Sequence, residues 1–344
     1  WGRGMAERKT TKRREAGESE LVLLALGGLG EIGMNCYLYG VGPADDREWL
    51  LVDLGITFPE GEFDPGVDVI LPDLRFLEAE RGNLSGLVLT HAHEDHFGAV
   101  IELWPKFNKP VFATPFTAAL LRAKLAEFGG SVKLKIIEID LDSRFNVGGF
   151  DLELVSVSHS IPEPNGLIIR TPHGTVLHTG DWKLDPTPVL GAPTDEAKLA
   201  RLGDEGVLAL VCDSTNAMRE GRSPSELDVA KSIGTIIRNA KQRVAVTIFA
   251  SNVARIKAVA DAARASGRSA WPSGSARWPS SWPTSVPRSA TCSIGWRMTR
   301  AGWPRSARRR SADRATRWST KAERCGATSR PRPASACAPI SAGR

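Results

Sequence analysis

Leu87-Val-Leu-Thr-His91-Ala-His93-Glu94-Asp95-His96-Phe-Gly-Ala-Val100 is the stretch from which the rest of the chain can be read. Residues 87–90 form a short apolar run of strand type. Four metal-capable side chains follow within six residues: His91, His93, Asp95 and His96. His91 and His93 alternate, so on an extended or turning segment they point the same way. Imidazole and carboxylate together suit zinc or a similar divalent ion. The crowding suggests two ions side by side. The chain holds six His and three of them sit here, which argues against a polar loop with chance histidines. The helix-borne His-Glu-x-x-His motif is absent, and this spacing belongs to a loop.

Outward from that loop the chain divides near residue 268. Residues 269–344 contain no Leu, Phe, Tyr or His, yet hold six of the ten Trp. Their fourteen Arg and one Lys against Asp313 and Glu323 give +13, so residues 1–268 carry −7 of the chain's net +6. The basic balance therefore belongs to the tail and says nothing about the part that carries the histidines. Cys36 and Cys212 precede the tail in apolar, strand-like contexts and read as buried free thiols, which fits a reducing cytoplasm. Residues 1–19 read as a charged, disordered leader rather than a signal peptide, with Met5 as the start. No apolar run approaches the length of a membrane span.

Between leader and tail, strands alternate with helices, which predicts an α/β architecture of sheets covered by helices. Strands are expected at 21–26, 35–39, 49–52, 87–90, 111–113, 132–139, 150–157, 166–171, 175–179, 207–211 and 244–249. Helices are expected at 71–80, 99–106, 115–128, from 225 to about 239, and at 253–265. Gly28, Gly30 and Gly33 satisfy the dinucleotide fingerprint literally, with Asp53 twenty residues on. That fingerprint needs a helix directly after the glycines. Asn35-Cys-Tyr-Leu-Tyr39 alternates like a strand instead, so a tight hairpin turn is the better reading.

Several side chains are expected to return to the histidine loop. His159 ends the strand at 150–157, as the chain comes back toward the site. Asp181, in His178-Thr-Gly-Asp181, is a candidate to bridge two ions, with His178 packed behind it and His173 solvated at a hairpin tip. Asp53 ends a strand and can orient a ligand histidine. Ser223-Pro-Ser-Glu226 reads as a helix N-cap followed by Glu. The helix from 253 begins at a turn whose amides can bind phosphate. Two divalent ions held by His and Asp imply metal-assisted hydrolysis, with thioester, lactam, lactone and phosphodiester all open as substrates.

The His-x-His-x-Asp-His pattern after an apolar strand resembles the metallo-β-lactamase superfamily of binuclear hydrolases. Further stretches narrow the likeness to the ribonuclease J family, of the β-CASP branch: LALGGLGEIGMN, LVDLGITFPE, LTHAHEDHFGA, SHSIPE, GLIIRTPHGTVLHTGDWKLDPTPV, DSTNA and FASNVARI. The likeness covers roughly residues 20–268. It implies an αββα sandwich at 20–212, incomplete here, and the opening of a β-CASP domain at 213–268. It implies RNA hydrolysis by 5′-end-dependent exonuclease and by endonuclease action, in RNA decay and maturation, on single-stranded RNA with a 5′-monophosphate. Two divalent ions are implied, Zn2+ or alternatively Mn2+ or Mg2+. His91, His93 and His159 would hold one and Asp95 and His96 the other, with Asp181 bridging. Asp95 and Asp181 would be the catalytic carboxylates. Asp213 matches the carboxylate that opens the β-CASP insertion, and Ser251, Asn252 and Val253 match a substrate-contacting turn. The intact family protein is expected to be a homo-oligomer and cytoplasmic.

The likeness stops at the tail. The family expects a later His-x-Ser-Gly-His stretch and a further His for the second ion, and this chain has no His after His178. A shift of reading frame near residues 267–269 would account for the change of composition. Back-translated with one choice of codons and read two bases later, residues 270–279 give an apolar strand leading into a helix. The tail is then expected to be non-native and disordered, and the chain impaired as a catalyst. The alternatives are a basic RNA-binding tail, a hydrolase of a small ester or thioester on the same fold, and a fragment without activity.

Overall fold

The computed structural model describes residues 18–59, 66–129, 132–273, 295–300 and 338–339. In chain order the strands are β1 (Glu20–Gly27), β2 (Cys36–Gly42), β3 (Glu48–Val52), β4 (Leu84–Val88), β5 (Val111–Ala113), β6 (Ile136–Glu138), β7 (Arg144–Val147), β8 (Phe150–Ser156), β9 (Asn165–Thr171), β10 (Gly174–His178), β11 (Ala209–Val211), β12 (Val244–Val246), β13 (Arg268–Ser273), β14 (Gly295–Arg300) and β15 (Ala338–Pro339). The helices are α1 (Arg75–Ala79), α2 (Glu94–Phe97), α3 (Val100–Leu103), α4 (Pro115–Glu127), α5 (Glu196–Glu205), α6 (Glu226–Asn239) and α7 (Val253–Ala265).

Two sheets face each other, ordered β15-β1-β2-β3-β4-β5-β6 and β11-β10-β9-β8-β7. Alternation in β8 sends Phe150, Leu152 and Leu154 inward. There they meet Tyr39, Leu50, Val52 and Val88 of the first sheet and Leu167, Ile169 and Val176 of the second. Each such side chain contributes about 1.5–3 kcal/mol by leaving water. The outer face of the first sheet is covered by helical residues Leu77, Val100, Ile101, Trp104, Ala118 and Leu121. The outer face of the second sheet is covered by Leu202 of α5, against Val155 and Ile168. The layers therefore run helix, sheet, sheet, helix, which is the αββα sandwich expected. Among the described residues, no helix is long and apolar enough to cross a membrane.

Helices α6 and α7 and strand β12 build a separate, smaller core from Ile237, Val259, Ala262 and Ala263, with Ile233, Val244 and Val246 packed against it. Ser225 caps α6 by accepting from the Asp228 amide (3.1 Å). The glycine-rich stretch is a turn between antiparallel β1 and β2, with positive φ at Gly28, Gly30 and Gly33. No helix follows it, so the nucleotide fingerprint fails on structure as well as on pattern.

Several expectations need correction. Cys212 is exposed, not buried. It lies two residues beyond Leu210, itself exposed, on the outward side of edge strand β11, where an apolar run does not guarantee cover. The helix expected over 99–106 is broken into α3 and a 3-10 turn at Pro105–Phe107, because Pro105 cannot donate to a helical carbonyl. From residue 268 onward three further strands are described. Strands β13 and β14 pair and complete a three-stranded sheet with β12, and β15 pairs with β1. Main-chain groups on the edges of β12 and β1 can accept backbone of any composition. The leader up to residue 17 and the tail at 274–294, 301–337 and 340–344 lie outside the described residues, and with them most of the stretch read as frame-shifted and disordered.

Candidate metal centre

Strand ends deliver the polar side chains. Asp53 follows the last residue of β3 directly, His91 lies three residues past β4, His159 three past β8 and Asp181 three past β10. The turn of α2 carries Asp95 and His96, with His93 at its N-cap position. That turn is tied down by backbone. The amides of Asn35, Leu54 and Ile56 donate to the carbonyls of Asp95 (2.9 Å), His96 (2.7 Å) and Glu94 (3.0 Å). The Asp95 and His96 carbonyls are ones that a helix this short leaves without partners, while the Glu94 carbonyl also accepts from the Gly98 amide (2.8 Å).

The approach is so close at Gly55 that a Cβ there would lie 1.7 Å from the Asp95 carbonyl oxygen. Gly55→Ala must therefore displace the loop that carries the histidines. The expected cost is about 1–3 kcal/mol, together with weaker divalent-ion binding. Urea unfolding and ion titration of the purified variant read the two effects, and wild-type values in both would show that the loop yields freely.

Two groups of side chains converge, His91, His93, His159 and Asp181 in one and Asp95, His96 and Asp181 in the other. His91 Nε2 lies 3.1 Å from His93 Nδ1, which lies 3.0 Å from His159 Nε2. Asp181 stands between the groups, with Oδ2 3.4 Å from His159 Nε2 and Oδ1 3.1 Å from His96 Nε2. Asp95 Oδ2 is 3.6 Å from the same His96 nitrogen. Ligands of a tetrahedral ion with bonds near 2.05 Å stand about 3.3 Å apart. The two nitrogen–nitrogen distances from His93 Nδ1 are close to that edge length.

Electrostatics fit the same reading. Burial pushes His91 well below the usual imidazole range, helped by His96, His93 and His159. Burial likewise brings His159 down to about 3, again with His93 adding to it. Both rings are thus neutral and present lone pairs, which is the form that binds metal. His96 behaves oppositely: burial would lower it, but Asp95 and Asp53, with hydrogen bonds to Asp181 and Asp53, hold it well above the usual range. Burial would raise Asp181, yet the hydrogen bond from His96 and the nearby imidazoles hold it far below the usual carboxylate range. A cation in place of the imidazolium proton would meet the same carboxylates. The donor set is compatible with divalent metal.

Around the groups, Asp53 is fully buried and accepts from the Thr90 amide (2.8 Å), Thr90 Oγ1 (2.8 Å) and His96 Nδ1 (2.7 Å). His178 stands apart from both groups, with Nδ1 2.9 Å from the Tyr39 hydroxyl; burial lowers it to about 4. His173 Nε2 lies 2.8 Å from Ser19 Oγ. Asp213 is outside both groups. It closes its own turn, accepting from the Thr215 amide (2.8 Å) and hydroxyl (2.6 Å). Ser251, Asn252 and Val253 are brought close: the Ala254 amide next to them donates to the Ser160 carbonyl (3.2 Å), and Ser160 Oγ lies 3.5 Å from His93 Nε2; the Asn252 side chain caps α7 by accepting from the Arg255 amide (2.8 Å), and Val253 packs on the first-sheet core.

Sequence reading passed over Asn35, whose Nδ2 donates to the Asp95 carbonyl (3.1 Å) and lies 3.0 Å from His96 Nε2. The available signal was a polar residue opening an apolar strand directly after the glycine turn. It also passed over Thr90, which touches Asp53 and lies 3.0 Å from His91 Nδ1.

The αββα sandwich, with a His and Asp cluster compatible with divalent metal at its strand ends, defines the class of fold. The metallo-beta-lactamase superfamily model matches residues 29–224, and the chain belongs to that superfamily. More particularly, the chain is 55% identical over 253 residues to a ribonuclease J from Sinorhizobium meliloti, covering 74% of this chain and 45% of the relative. It is 44% identical over 260 residues to a ribonuclease J from Thermus thermophilus, covering 73% and 44%. It is 38% identical over 246 residues to a ribonuclease J2 from Bacillus subtilis, covering 72% and 43%. The chain thus spans less than half the length of these curated relatives. A solved structure of a protein of unknown function from Enterococcus faecalis V583 shares the fold, with a TM-score of 0.51 at 19% identity, covering 70% of this chain and 63% of that one.

Proposed function

We propose that this chain carries the metal-binding half of a cytoplasmic ribonuclease of the ribonuclease J type, hydrolysing single-stranded RNA by 5′-end-dependent exonuclease and by endonuclease action. The observation that carries the reading is the convergence of His91, His93 and His159 on one side of Asp181 and of Asp95 and His96 on the other, in a chain 55% identical to a ribonuclease J over 253 residues. His91, His93, His159 and Asp181 would hold one divalent ion, and Asp95, His96 and Asp181 the second. Zinc fits the imidazole-rich first set; Mn2+ or Mg2+ would also suit the second, which is richer in carboxylate. When bound, such ions supply Lewis acidity that activates water near neutral pH and offsets charge on the phosphodiester.

The chain's own residues orient and exclude. Asp53 fixes the His96 ring through Nδ1, leaving Nε2 to face the site. Asp181 sets the separation of the two groups. The turn at Ser251, Asn252 and Val253 would meet an anionic strand through its side chains and not through the expected helix-start amides, because the amides of Val253, Ala254 and Arg255 are already taken by the Ser251 carbonyl, the Ser160 carbonyl and Asn252 Oδ1. Because the second group offers three side chains and the first four, the second ion should bind more weakly, and this chain should turn over slowly.

A 5′-monophosphorylated single-stranded RNA, offered with Zn2+, Mn2+ or Mg2+ and compared with a thioester and a nitrophenyl ester, tests the reading. The expected outcome is RNA shortening that EDTA abolishes, with the esters untouched. Ester turnover without RNA cleavage would transfer the chain to the small-ester reading.

A further inference from the structure

A buried charge network outside the metal groups joins three elements, and neither the fold nor the metal chemistry accounts for it. Glu226, at the start of α6, is buried, and Arg255 lies in the first turn of α7. Lys183 belongs to the loop that carries Asp181. Lys183 Nζ lies 3.0 Å from Glu226 Oε1 and 2.9 Å from Asp185 Oδ2. Arg255 Nη2 reaches the two Glu226 oxygens at 3.3 and 3.2 Å. Asp185, itself buried, accepts from the Glu226 amide at 2.9 Å. Two acids thus meet two bases, and Glu226 is the acid that touches both.

Each base is attached to something at the site. The Lys183 amide donates to the Ser158 carbonyl (3.0 Å), so Lys183 is laced to the strand end that bears His159. Arg255 follows Ala254, the residue that ties the turn to the loop bearing Ser160, and Ser160 Oγ stands 3.5 Å from His93 Nε2. The Ala254 amide donates to the Ser160 carbonyl at 3.2 Å. We infer that Glu226 is a positioning residue: by bridging Lys183 and Arg255 it holds the turn at residues 251–253 against the loops that carry His159 and Asp181. A buried carboxylate does this well, because removing it leaves Arg255 without its acid and Lys183 with Asp185 alone, and both cations are only partly open to water. The clamp is independent of substrate; that the turn touches RNA rests on the ribonuclease reading.

The test uses the full chain with Glu226→Ala, Glu226→Gln and Arg255→Met. Hydrogen exchange is followed by mass spectrometry, alongside ion titration and fluorescence anisotropy with a labelled, 5′-monophosphorylated oligoribonucleotide. Exchange at the amides of residues 251–255 should quicken about tenfold in Glu226→Ala and in Arg255→Met, and less in Glu226→Gln, which keeps an acceptor. Amides of β8 and β9 should keep their rates, and the first ion its affinity. Oligonucleotide affinity should fall about tenfold in Glu226→Ala, with partial rescue in Glu226→Gln. Unchanged exchange at 251–255, or equal acceleration throughout the sandwich, would overturn the inference. If the unaltered chain binds no oligonucleotide, the ribonuclease reading loses support, while the exchange comparison still decides the role of Glu226.

Discussion

Asp181→Ala should reduce the protein from two bound divalent ions to one and remove any metal-dependent hydrolysis. Asp181 is the side chain common to both groups, one oxygen 3.1 Å from His96 Nε2 and the other 3.4 Å from His159 Nε2. Without it the second group keeps only Asp95 and His96, fewer protein ligands than catalytic sites ordinarily use. Altering a residue that merely supports a ligand costs about 10–100-fold in affinity; losing the shared ligand itself should cost the second ion at least about 100-fold by the same reckoning. The first ion keeps three imidazoles and should remain. If the pair of ions contributes several kcal/mol of charge stabilisation, the rate falls by about a thousandfold or more. Ion content after dialysis and calorimetric titration decide the stoichiometry. Asp213→Ala is the matched control, because Asp213 serves its own turn and should leave two ions in place. Two ions at unchanged affinity in Asp181→Ala would sink the bridging role.

How much of this was legible beforehand depended on whether a signal was local. The loop at 91–96 announced itself because four metal-capable side chains crowd one strand end, and no packed core would hold them unsatisfied. His159 and Asp181 could be named because each follows a strand that had to return toward that loop. Helix α6 was legible from its cap, since Ser223-Pro-Ser-Glu226 opens it and Ser225 does accept from the Asp228 amide. Strand β7 was not, because Arg-Phe-Asn-Val is too short and too polar to show alternation; it exists through its pairing with β8. Helix α5 was passed over because its apolar face is narrow, with Leu199 and Leu202 packed on Val155 and Ile168. Lys183, Asp185, Glu226 and Arg255 were invisible for a different reason. In sequence each is an ordinary surface charge, and only the fold places the four together away from water. Asn35, 60 residues from Asp95, belongs with them: nothing short of the β1–β2 turn brings it to the histidine loop.

Asp53→Ala should be the most destabilising single change in the sandwich that leaves every proposed ligand in place. The carboxylate is fully buried and accepts three hydrogen bonds, from the Thr90 amide, the Thr90 hydroxyl and His96 Nδ1. His96 is itself buried, which opposes its charged form, and it is held cationic against that burial by Asp95 first and Asp53 next, with hydrogen bonds to Asp181 and Asp53. Removing one partner of a buried charged pair costs about 3–5 kcal/mol, and the Thr90 groups lose their acceptor as well. A second cost comes from the backbone. Asp53 has φ of 60°, a left-handed conformation that Asp and Asn tolerate better than Ala. Asp53→Asn should therefore cost less, about 1–3 kcal/mol for the hydrogen bonds it cannot reproduce, because it keeps an acceptor for Thr90 and suits the same φ. Urea unfolding of the protein in EDTA, followed by far-ultraviolet circular dichroism, orders the three proteins without interference from bound ions. With ions added, both variants should also lose about 10–100-fold in affinity for the second ion, since nothing then fixes the His96 ring. Equal losses in Ala and Asn would assign the whole effect to the carboxylate charge and none to the backbone. A change within about 1 kcal/mol of wild type in Asp53→Ala would mean that water enters and replaces the carboxylate, and that the strand end at β3 is far less closed than its burial indicates.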